Sequence, residues 1–69
     1  MNENYRELKR RLRKLDELLV TRGMENAAFA RAVDALRRAA KRGDPRRDPP
    51  PELRALLEKA EGLGKLVGG

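Results

Sequence analysis

Tyr5, Leu8, Leu12, Leu15 and Leu19 follow one another at alternating spacings of three and four residues. At 3.6 residues per turn that spacing sets all five in one seam of an α-helix, with Leu18 and Val20 widening the seam on either side. Arg6, Arg10, Arg13 and Lys14 fall on the opposite surface. An amphipathic helix needs a partner for its apolar face, so the chain is expected to be all-α and built from helix-on-helix packing.

The next punctuation is Gly23, since glycine tolerates the left-handed conformation common just past a helix end. Asn26 can then cap a new helix through its side-chain oxygen. A first helix over about 3–22, a turn over 22–26 and a second helix over 26–42 follow. In the second helix Phe29, Val33, Leu36 and Ala40 form a seam that ends at Gly43. The residues of 43–50 cannot continue it, because prolines lack a backbone donor and push their predecessors toward extended backbone. That stretch is expected to be a stiff linker rather than a ligand for an aromatic groove.

Pro51 suits the first position of a third helix, with Leu53, Leu56, Leu57 and Ala60 on its apolar face. The third helix is expected over 51–61, because Gly62 and Gly64 interrupt. Residues 62–69 are expected to form a flexible tail whose Leu63, Leu66 and Val67 dock only where a groove accepts them. The whole is one small domain, an antiparallel helical hairpin plus a short third helix. One alternative is a single coiled-coil helix over 4–42, because the seven-residue register of Tyr5, Leu12 and Leu19 continues through Asn26, Val33 and Ala40. Gly23 and the polar pair Arg22 and Asn26 in that seam favour the hairpin.

Composition limits what such a domain can do. The chain has 69 residues, 41% charged and 3% aromatic, with neither cysteine nor histidine. A domain this short buries only about 60% of its unfolded surface, and self-association would relieve the shortage. Disulfides, thiolate metal sites and imidazole acid–base chemistry are excluded. Serine is absent as well, and there is one threonine and one tyrosine. Adjacent carboxylates such as Asp16 and Glu17 diverge by about 100° on a helix and are expected to be solvated surface charge, as are Asp44 and Asp48 in the linker. Gly62, Gly64 and Lys65 lack the preceding strand and the spacing of a phosphate loop. The chain is therefore expected to be non-enzymatic and to carry no cofactor or metal. No run approaches the roughly 18 apolar residues of a membrane span, and residues 1–4 lack a signal peptide's apolar stretch, so a cytoplasmic protein without a membrane partner is expected.

Two faces remain as candidate sites. Ala28, Ala32, Ala35 and Ala39 make a stripe of small residues on the second helix, open to close approach of helix 3 or of a second copy of the chain. With Leu53, Leu56 and Leu57 they form a candidate association face, for a protein partner or a homodimer. The other face is basic. The net charge is +6, and positive charge gathers at Arg6, Lys9, Arg10, Arg11, Arg13 and Lys14 and again at Arg37, Arg38, Lys41, Arg42, Arg46 and Arg47. An antiparallel hairpin brings both groups, 12 of 17 basic residues, to one pole.

Cations ending a helix are favoured by its dipole, so the second group needs no further cause. Cations early in a helix oppose the dipole, and Arg6, Arg10 and Lys14 repel one another at four-residue steps by about 0.2–0.5 kcal/mol per pair. An anionic partner would offset that cost. Arg6, Arg10, Arg13, Lys14, Arg37, Arg38, Lys41 and Arg42 are the candidate anion contacts. The function expected first is a helical binding or adaptor module, a small regulator that docks on a larger macromolecule and self-associates. The alternative is an RNA- or DNA-backbone binder using the basic pole. Interleaved aromatics for base stacking are missing, which points to backbone or shape recognition in that case.

Overall fold

A computed structural model describes residues 2–23 and 25–68. Met24, inside the expected turn, and the last residue of the expected tail lie outside the described residues. Helix α1 spans Glu3–Leu18 and continues into a π turn over Leu19–Gly23. Helix α2 spans Ala27–Arg42 and α3 spans Pro51–Gly68. There is no strand among the described residues. The expected all-α hairpin with a third helix is the fold, and the single helix over 4–42 is not.

Local chemistry explains the boundaries. Asn2 caps α1, its Oδ1 accepting from the Asn4 N–H at 2.8 Å, and Asn26 caps α2 by accepting from the Phe29 N–H at 3.0 Å. The left-handed exit expected at Gly23 is not used, since no described residue has a positive φ. The chain leaves α1 through the wider π turn, where the Thr21 hydroxyl donates to the Glu17 carbonyl at 2.9 Å. Gly43 ends α2 in extended backbone, φ −73° and ψ 153°. Its requirement for glycine comes from a neighbour: a Cβ there would run into the Tyr5 ring and hydroxyl.

The linker is stitched to the start of α1. The Asn2 N–H donates to the Pro45 carbonyl at 2.8 Å, and the Asn4 side-chain amide donates to Asp48 at 2.9 Å. Pro49 is buried. These ties deliver Pro51 beside the beginning of α1, so α3 runs parallel to α1 and antiparallel to α2, against which it chiefly packs. The three helices form a rod of 34 × 16 × 16 Å.

The core combines the α1 seam of Tyr5, Leu8, Leu12 and Leu15 with Phe29, Val33 and Leu36 of α2 and Leu53, Leu57 and Ala60 of α3. Residues 62–68 correct the expected tail. They continue α3, with Leu63 and Val67 packed against the core. Gly64 is buried, with Phe29, Leu18 and Leu15 so near that an added Cβ would lie 3.2–3.4 Å from them. Two glycines inside a helix cost about 1 kcal/mol each relative to alanine. Close contact of α3 with α1 and α2, which the missing side chain of Gly64 permits, offsets that cost. None of the helices is long and apolar enough to cross a membrane, among the described residues.

Candidate polyanion-binding groove

The net positive charge is divided unevenly over the rod. Helix α2 carries five cations against one acid, Asp34, and α1 carries six against four. Helix α3 balances three cations with three acids, and residues 43–50 balance two with two. The basic surface is therefore the one made by α1 and α2.

Along the seam between these helices runs an open groove lined by Lys9, Leu12, Arg13, Asp16, Arg37, Ala40 and Lys41. Its floor is apolar, since Leu12 and Ala40 are buried. Its rims are cationic because Lys9 and Arg13 stand one helical turn apart on α1, beside the apolar seam, and Arg37 and Lys41 do the same on α2. Antiparallel packing brings the two pairs face to face. Two contacts fix that register: the buried Tyr5 hydroxyl donates to the Ala40 carbonyl, and Arg37 pairs with Asp16 across the groove. Asp16 is the one carboxylate among the lining residues. Lys9 also sits above the Tyr5 ring, its Nζ 5.7 Å from the centroid, a cation–π contact that leaves its other side to solvent.

The expected basic pole is thus sorted into parts. The start of α1 does lie beside the end of α2, as the Tyr5–Ala40 and Asn2–Pro45 bonds require. Of the expected anion contacts, Arg13, Arg37 and Lys41 meet in the groove. Arg6, Lys14 and Arg42 are exposed outside it. Arg10 is exposed and paired with Glu7, whose carboxyl is held below its ordinary range by the hydrogen bond from Arg10. Arg38 pairs with Asp34 at 3.1 Å. Arg11 turns to the other flank and grips both oxygens of Glu61 on α3, with its Nε donating at 2.9 Å. That hydrogen bond raises the Arg11 pKa and takes the residue out of the basic surface. Lys9 belongs to the groove although it is not one of the expected contacts. The signal for it in the sequence is its place four residues before Arg13 and next to Leu8 of the seam.

No protein-family model, curated protein or solved structure matches this chain. What the groove can do therefore follows from its own chemistry.

The candidate association face fares differently. Ala32, Leu53 and Leu57 are buried in the core, with Ala39 and Leu56 packed against it, so half of the alanine stripe is taken up within the chain, where α2 packs chiefly on α3. Ala28 and Ala35 alone of that set are exposed.

Proposed function

We propose that this chain is a non-enzymatic docking module that binds a polyanionic macromolecule through the α1–α2 groove. The observation that carries this reading is the convergence of Lys9, Arg13, Arg37 and Lys41 on one groove that Asp16 alone tempers. Cations gathered in this way repel one another, and a bound anion converts that repulsion into binding free energy. The apolar floor of Leu12 and Ala40 adds no side-chain hydrogen-bonding partner, and Asp16 engages only Arg37. Lys9, Arg13 and Lys41 therefore have no carboxylate partner among the described residues and can turn their donors to a ligand. The side-chain inventory supports a binding role over catalysis, because histidine, cysteine and serine are all absent. Docking on a protein through the alanine stripe, or self-association there, has less support, since only Ala28 and Ala35 are offered to solvent.

Elution from immobilised heparin tests the reading. The wild-type protein is retained and released by salt. Arg13→Ala/Lys41→Ala elutes at clearly lower salt than Lys59→Ala/Lys65→Ala, which removes the same charge from α3. Equal elution of the two variants refutes the groove as the docking site, and failure of the wild-type protein to be retained refutes polyanion binding.

A further inference from the structure

Resting on the reading of α1–α2 as a polyanion-binding groove, we infer that its ligand is the phosphodiester backbone of a nucleic-acid duplex, gripped from both sides without reading base sequence. Three features select this occupant.

The first is shape. A single α-helix, about 10–12 Å across, fits the B-form major groove, which is about 12 Å wide. Two helices packed side by side about 8–10 Å apart present a face too broad to enter it. Here the cations stand on the two rims of a furrow, not on the crest of one helix. The complement of a furrow is a ridge, and the ridge of a duplex is its sugar–phosphate strand.

The second is spacing. Residues four apart on a helix rise about 6 Å, so Lys9 and Arg13 on one rim and Arg37 and Lys41 on the other can reach successive phosphates of one strand. A duplex carries one charge per about 1.7 Å of axis, so a strand seated in the furrow presents phosphates at the density these few cations need.

The third is the absence of a stacking platform. Single strands are held by bases laid on aromatic side chains. The only aromatics here, Tyr5 and Phe29, are 1% and 0% exposed, so a single strand loses the contact that favours it.

Asp16 then acquires a role. Its pairing with Arg37 withholds one of the four rim cations from phosphate, leaving Lys9, Arg13 and Lys41. With each phosphate contact contributing about 0.9 to the slope of log affinity against log salt, three contacts give a slope of about −2.7. Asp16→Asn frees Arg37 and steepens the slope to about −3.6, binding more tightly at low salt than the wild-type protein. Arg13→Ala/Lys41→Ala flattens it by about 1.8.

The experiment is a salt series of fluorescence anisotropy titrations of the full chain. Its probes are a mixed-sequence DNA duplex of about 20 base pairs, the matching RNA duplex, either DNA strand alone, and polyglutamate. Circular dichroism confirms that each variant remains folded. The inference holds if a duplex binds more tightly than the single strand and polyglutamate and Asp16→Asn tightens it further, the stronger of the DNA and RNA arms naming the source. It is overturned, with polyanion docking intact, if polyglutamate or the single strand binds as well as either duplex, or if Asp16→Asn leaves duplex affinity unchanged or lower. If no probe binds, both readings fall together.

Discussion

Replacing Tyr5 by phenylalanine isolates the contact that sets α1 against the end of α2. The Tyr5 ring is buried and its hydroxyl donates to the Ala40 carbonyl. Ala40 lies in the last turn of α2, where carbonyls have no partner within the helix. Phenylalanine keeps the ring and its apolar burial, so the loss is that of one hydrogen bond. A neutral hydrogen bond is worth about 1 kcal/mol net, and a buried carbonyl left without a donor raises the cost toward 2–3 kcal/mol. We expect a loss of about 1.5 kcal/mol, or roughly 6–12 °C in Tm for a domain of this size.

The pH dependence supplies a second readout of the same contact. Burial, seconded by the negative charge of Asp44, holds the Tyr5 pKa above its ordinary value of 10.0. The folded state thus keeps a proton that the unfolded chain releases first. The stabilisation is complete below pH 10 and declines as the pH rises toward the folded pKa. Urea unfolding followed by circular dichroism, repeated from neutral to alkaline pH, measures both effects. Tyr5→Phe should be less stable at neutral pH, and the gap to wild type should narrow above pH 10. A variant as stable as wild type, or a gap that widens with alkalinity, refutes the reasoning.

Other contacts make equally definite demands. Gly62 has no atom near an added Cβ, so Gly62→Ala should stabilise the protein by about 0.5–1 kcal/mol in urea unfolding. Gly64→Ala receives the same intrinsic gain but forces a Cβ to 3.2 Å from Phe29, so it should come out less stable than Gly62→Ala. Asn26→Ala removes the cap of α2 and should cost about 1 kcal/mol by the same measurement. Leu57→Ala, in the core, should cost about 2–5 kcal/mol, whereas Leu66→Ala, at a side chain 80% exposed, should stay within about 0.5 kcal/mol of wild type.

The fold was legible wherever a local rule decided it. Leucines at three- and four-residue steps identify α1, Asn26 starts α2, and Pro51 starts α3. What escaped was decided by distant neighbours. Gly62 and Gly64 read as helix breakers because the sequence cannot show Phe29 and Leu18 pressing on Gly64 from two other elements. The alanine stripe is compatible with either a second copy or α3, and nothing local distinguishes them. Its use within the chain follows from the linker, which Asn2 and Asn4 tie back beside α1.

The basic site divides in the same way. That the two cationic groups meet follows from antiparallel packing alone, but which cations stay available does not. Arg11 and Arg37 are spent on Glu61 and Asp16, partners far along the chain whose positions depend on the register of all three helices. Asp16 reads as solvated surface charge in the sequence, and only that register makes it a bridge over the groove.

The most direct test of docking through the α1–α2 groove is a backbone amide NMR titration of the full chain with the DNA duplex. The amide signals of Lys9, Arg13, Arg37 and Lys41 and their neighbours should shift together, saturably and less at higher salt, while those of Lys59 and Lys65 on α3 stay in place. Shifts centred on α3, or spread evenly over all three helices, contradict the account.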